Sequence, residues 1–182
     1  MSPSQDYFFN IPCEYALYAE PLIEPATEAK LNEKMPETYK LLRDIAAKEQ
    51  ATLSHLNQLP KGDIITEYLT LQGKKVDLVL HQQLAQINHS GIKCVGTHFG
   101  GSHLTFNTPT DFADAKQWAI QLLIKKHCIA IYCFIEVLSV KILEKQQQIC
   151  AEIIAIGEPE QEQLIRASLQ QQQQILKINH RH

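Results

Sequence analysis

After Asn88 the apolar residues of this chain change from a helical period to that of strands, and that change restricts the fold more than any motif does. From about Glu37 the offsets are helical. Leu41, Leu42, Ile45, Ala46, Leu53 and Leu56 share a face, with Pro36 placed where a first helical turn tolerates it, and a helix to about Asn57 is predicted. The turn Leu59-Pro60-Lys61-Gly62-Asp63 interrupts it. A second helical run then extends from Ile64 to Ile87. Past Asn88-His89-Ser90-Gly91 the runs become short and β-branched or aromatic: Ile92 to Val95, His103 to Phe106, Gln117 to Ile124, Ile129 to Val140 and Ile149 to Ile156. No helical pattern separates these strands, so the sheet is antiparallel and closes into a sandwich or barrel. An aromatic and aliphatic stretch from Tyr7 to Leu22, ended by Pro21 and Pro25, predicts an earlier strand. A final helix is expected from about Pro159 to Leu176, with a short glutamine run at Gln170 to Gln174 on a solvated face. The fold class is α+β. It comprises one domain over 1–182, with a helical and oligomerisation segment at about 36–88, and barrel strands with a C-terminal helix at about 90–178.

In the second helical run, Ile64, Leu71, Leu78 and Ala85 stand seven residues apart. Ile65, Leu69, Val76, Leu80, Leu84 and Ile87 widen the stripe beyond one narrow face. A face that broad calls for more than one partner: the preceding helix folded back as a hairpin, and either the barrel or a second copy of the chain. The residues expected to carry assembly are Ile64, Leu71, Leu78, Ala85, Leu69 and Val76.

Hydrophobic residues make up 45% of the 182, enough to bury a core. The formal net charge of -3 gives no basic field for nucleic acid or an anionic membrane surface. Five cysteines, an odd number without a CxxC pair, read as free thiols in a reducing compartment. The N-terminal Met-Ser-Pro-Ser-Gln-Asp has neither the charge nor the apolar run of a signal peptide, and no stretch reaches the roughly 20 apolar residues of a membrane helix. A cytoplasmic location is expected. The eight histidines have no HExxH or paired Cys/His spacing, and no GxSxG, SxxK, GxGxxG or GxxxxGK[ST] occurs. Neither a metal, a catalytic residue nor a phosphate-cradling loop is therefore expected, and the chain reads as a non-enzyme.

The most distinctive string is Val95-Gly96-Thr97-His98-Phe99-Gly100-Gly101-Ser102-His103-Leu104-Thr105-Phe106, where paired glycines between alternating runs indicate a tight hairpin or bulge. The order of parts from Ile92 to Lys177 resembles a PilZ domain: a strand into the Gly-Gly turn, and a short strand ending in Asn107-Thr108-Pro109. Phe112 and Asp114 then lead to a long strand at Trp118 to Leu123, followed by two strands and the helix Leu164-Ile165-Arg166-Ala167-Ser168-Leu169-Gln170. Tyr68 to Leu80 resembles the long helix of the family's atypical branch, in which helices with heptad repeats assemble four copies. The resemblance implies a PilZ-like barrel, a homotetramer, and a regulatory or adaptor role with a protein partner in bacterial motility, type IV pilus function, biofilm or virulence control.

Members of that family bind cyclic di-GMP through RxxxR and (D/N)xSxxG motifs, in which arginines fork onto phosphates and a glycine admits the ligand closely. Here Gly101 matches the last glycine, Gly96 stands where Asp or Asn belongs, and His98 where Ser belongs. The three arginines, Arg43, Arg166 and Arg181, form no RxxxR. Gly96, His98 and Gly101 are thus a degenerate nucleotide site, and binding of cyclic di-GMP in the usual way is not expected; a receptor with an altered site, aided by Lys74, Lys75 or Lys93, is the alternative. A third reading rests on Asn88-His89 and Phe99-Gly100-Gly101, which resemble hotdog-fold acyl-thioesterases and would require a long helix directly after Gly101.

Overall fold

In the computed structural model, residues 10–109, 112 and 115–179 are described; Tyr7 to Phe9, Asp114 and the tail histidines His180 and His182 lie outside them. The elements run β1 (Ile11–Pro21), α1 (Glu28–Lys34), α2 (Glu37–Leu56), α3 (Gly62–Gln86), β2 (Ile92–Phe99), β3 (His103–Thr108), β4 (Gln117–Ile124), a 3-10 turn at Lys125–His127, β5 (Ile129–Ile142), β6 (Gln147–Ala155) and α4 (Glu158–Asn179). The six strands close into an antiparallel barrel in the order β1-β2-β3-β6-β5-β4, with β4 returning to β1. The expected strands and helices are all present. Two features of the chain were not anticipated. The barrel is not confined to the segment after residue 90, because β1 sits between β2 and β4 and supplies the closing strand. A short helix, α1, occupies the gap between the prolines, with the Thr27 hydroxyl accepting from the Lys30 N–H at its start.

Alternation explains the core. Leu17, Phe99, Leu104, Phe106, Ile120, Leu122, Ile131, Cys133, Ile135 and Ile149 point into the barrel and are fully buried. Phe112 stacks on Trp118 at 3.8 Å and meets Phe106 edge-on at 5.4 Å, within the same core. Leu164 and Ala167 of α4 complete it. The opposite face of β4 and β5 is apolar too. Ala119, Tyr132 and Phe134 pack outward against Leu31, Met35 and Tyr39 of α1 and α2, which is why β4 reads as a nearly continuous hydrophobic run.

Gly100 and Gly101 make the β2–β3 hairpin, closed by the Gly100 N–H donating to the His103 carbonyl. A strand, not a long helix, follows Gly101, so the order of elements demanded by the thioesterase reading is absent. All five cysteines are free thiols. No helix among the described residues is long and apolar enough to cross a membrane.

Candidate functional site

The second helix of the hairpin carries the largest group of exposed apolar side chains among the described residues. The α3 residues with reduced exposure are Gly62, Thr66, Thr70, Gln72, Gly73, Leu80, His81 and Leu84; all but Gln72 fall on one side of the helix, which contacts α2 and β5. At Gly73 the Glu49 carboxylate of α2 lies only 3.1 Å from where a Cβ would stand. This inner seam is small and mixed in polarity. The large apolar residues Ile64, Ile65, Tyr68, Leu69, Leu71, Val76, Leu78, Val79 and Ile87 are all exposed: Ile64 at 63%, Leu71 at 51% and Leu78 at 60%. At 3.6 residues per turn they occupy about half of the helix circumference, opposite the seam. Of the expected stripe, Leu80 and Leu84 turn inward, and the preceding helix leaves the rest exposed. Ile64, Leu71, Leu78, Ala85, Leu69 and Val76 are all exposed, Leu78 beside a pocket shared with α4. Leu41 and Ile45 of α2 are exposed as well.

The junction that carries α3 into β2 is well fixed. The His89 ring lies 2.6 Å by Nε2 from the Leu84 carbonyl and 2.7 Å by Nδ1 from the Gln121 side chain, and it stacks on Tyr18 at 4.3 Å. The hairpin thus leaves the barrel at a defined point, with its apolar face presented outward.

The glycine string makes close contacts within the protein. Gly96 pairs with Tyr15 across the β1–β2 ladder, and a Cβ there would run into the Tyr15 ring. The Tyr15 hydroxyl reaches over to lie 2.9 Å from each of the carbonyls of His98 and Thr105, which share its one proton. Burial pushes the pKa of this phenol well up, a hydrogen bond with the Thr105 backbone opposing the shift. Gly101 lies under α4, where a Cβ would be 2.6 Å from Ile165 Cγ1. His98 is half-buried beside a bulge, 3.1 Å by Nδ1 from the Thr97 hydroxyl. The three residues share one hairpin, but both glycines are already faced by side chains of the protein itself.

No family model matches the chain, and no curated protein matches it. Among solved structures it is similar to a PilZ protein. That neighbour is a pathogenic protein from Xanthomonas campestris, a tetrameric PilZ domain self-assembled via an unusual helical bundle. The match has 13% identity and a TM-score of 0.48, covering 92% of this chain and 91% of the other.

Sequence periodicity found the α3 residues but not their direction, and it passed over Tyr68 and Val79. It also missed a cavity between the hairpin and the barrel. Met35, Tyr39, Leu42, Leu80, His81 and Tyr132 contribute to its walls, with Asp77, Glu160 and two arginines. Burial holds His81 below the ordinary imidazole range, a backbone hydrogen bond to Ile129 opposing it, and burial raises the Asp77 carboxyl. Burial likewise raises the Tyr39 phenol above its usual value, and that of Tyr132 to about 12.

Proposed function

We propose that this chain is a non-catalytic regulatory or adaptor protein of PilZ type that self-assembles through the outward face of α3, as a tetramer, and uses its barrel surface to engage a protein partner. The observation that carries the reading is the half-circumference of large apolar side chains on α3 that nothing in the monomer covers. Soluble monomers seldom leave contiguous apolar patches larger than a few hundred Å². The occupant that fits is another copy of α3, because Ile64, Leu71, Leu78 and Ala85 repeat at the seven-residue spacing of helix-to-helix seams. Lys75 lies within this face, a polar interruption of the kind that selects register and copy number.

The same reading has cyclic di-GMP absent from the function, since Gly96 and Gly101 serve the contacts with Tyr15 and Ile165. By resemblance to PilZ domains the setting is motility, type IV pilus, biofilm or virulence control in the cytoplasm.

The test is cross-linking between isotopically distinct copies. Equal amounts of light and heavy protein are mixed, denatured and refolded together, and treated with an amine-reactive cross-linker. Light-to-heavy links joining Lys74 or Lys75 of one copy to α3 of another are expected. Links confined to single copies, or light-to-heavy links only through the barrel, refute assembly through α3.

A further inference from the structure

Strands β4 and β5 close the barrel over only part of the length of β5. β4 begins at Gln117, opposite Glu136, and the Val137 N–H donating to the Lys116 carbonyl is the last backbone bond on that side among the described residues. β5 runs on to Ile142, held there by β6, with Lys141 opposite Gln148 and Ile142 opposite Gln147. The chain leading into β4 does not follow this edge. It comes from Phe112, which is fully buried, stacks on Trp118 and donates its N–H to the Gln147 side chain, and it bends at Lys116. Leu138 to Ile142 are all exposed, and no strand among the described residues pairs with their other edge.

Such an edge presents N–H and C=O groups at strand spacing, able to pair with another extended backbone. The stretch from Leu138 to Ile142 spans roughly 17 Å at about 3.3 Å per residue, the length of an ordinary short strand. Opposite residues of an antiparallel pair share a face, so Val140 lies on the side of its partner Ile149, which belongs to the core. Ile142, two residues on, lies with it. Val140 is 38% and Ile142 80% exposed, so both have apolar surface left to cover. Lys141 lies on the outer side and has no ion pair among the described residues. A strand laid here is therefore matched by apolar side chains on one face and an acid on the other. A second β5 does not supply the acid, because antiparallel pairing centred on Val140 sets Lys141 beside Ser139. A lysine on an edge also works against pairing between copies.

We infer that the free edge of β5 from Leu138 to Ile142 takes up an extended peptide of a partner protein as an added strand, with apolar residues beside Val140 and Ile142 and an acidic residue beside Lys141. The inference rests on the proposed engagement of a protein partner through the barrel, to which it gives a place and a mode. It does not depend on assembly through α3.

The experiment follows amide hydrogen exchange of the full chain with and without the capped peptide Thr-Val-Glu-Val-Thr at millimolar concentration. Saturable slowing is expected at amides within Leu138 to Ile142, and equally in the Leu78→Glu variant. A peptide with lysine in place of the glutamate should bind roughly two- to thirtyfold more weakly, the scale of exchanging an attractive cross-strand charge pair for a repulsive one. Lys141→Glu, a change at an exposed position, should reverse the order of the two peptides. No slowing at these amides overturns the inference, and so does an order of peptides unmoved by Lys141→Glu. Slowing confined to other barrel strands overturns it while leaving a barrel-bound partner standing. Exchange that slows there with protein concentration alone overturns it too, and gives the edge to a second copy.

Discussion

Replacing Leu78 with glutamate should separate assembly from folding. In the monomer this side chain is 60% exposed, so the share of a leucine's burial still available to a partner is roughly 0.6 of the ~1.5–3 kcal/mol for a complete burial, or about 1–2 kcal/mol per chain. In a two-fold contact the residue occurs on both sides. The Leu78→Glu variant should therefore lose about 2–4 kcal/mol across the contact, a weakening of roughly thirty- to a thousand-fold, before the cost of burying a carboxylate is added. Within the monomer the same change should be nearly silent. Leucine and glutamate have similar helix propensities, and an exposed substitution stays within about 0.5 kcal/mol. The assay is sedimentation velocity on the variant and the parent, paired with urea unfolding of the variant in its dissociated form. Retained assembly in a folded variant would refute the reasoning. A fall in the variant's folding free energy of more than about 1 kcal/mol would refute it from the other side, because Leu78 would then be packed within the chain.

Other consequences are more local. Gly96→Ala sets a methyl against the Tyr15 ring and should destabilise the barrel by about 1–3 kcal/mol in urea unfolding; an unchanged midpoint would mean that this contact is not tight. Titration with cyclic di-GMP should give no saturable heat, and saturable binding lost on Gly101→Val would restore the nucleotide reading of that turn. Stability should fall as pH drops below about 6.5, the ordinary histidine value. Burial holds His81 and His127 below it, so the unfolded chain takes up protons that the native state does not. His81→Gln should flatten that slope, and a slope unaltered by this change would assign it to other groups.

Much of the architecture is legible in the order of residues because it rests on local period. Pro36, the turn at Leu59 to Asp63 and the switch after Ile87 mark the hairpin, and the alternation in each later run marks a strand. Closure of the barrel is not local. Residues Ala16 to Pro21 pair with Trp118 to Leu123, some hundred positions away, and no pattern in either strand names the other. The short helix α1 escaped for a different reason: its seven residues are too few for a period, although Thr27 and Glu28 carry ordinary N-terminal chemistry.

The sites divide along the same line. Seven-residue spacing located the apolar stripe of α3, but a period gives the width of a face and not the side on which the barrel lies. The inner seam mixes Leu80 and Leu84 with small and polar residues such as Gly73 and Thr66, which carry little hydrophobic signal. Gly96 was legible as a special position, yet its reason is a ring from the neighbouring strand. The cavity between the hairpin and the barrel could not be read from the chain, since Tyr39, His81, Tyr132 and Glu160 are brought together only by docking of the hairpin on β5 and α4.

The central claim is that the outward face of α3 is covered by other copies of the chain. Its most direct test is the molar mass of the purified protein by sedimentation equilibrium at micromolar concentration. The account predicts a tetramer of the 20.7 kDa chain; a single species at 20.7 kDa across the concentration range would contradict it.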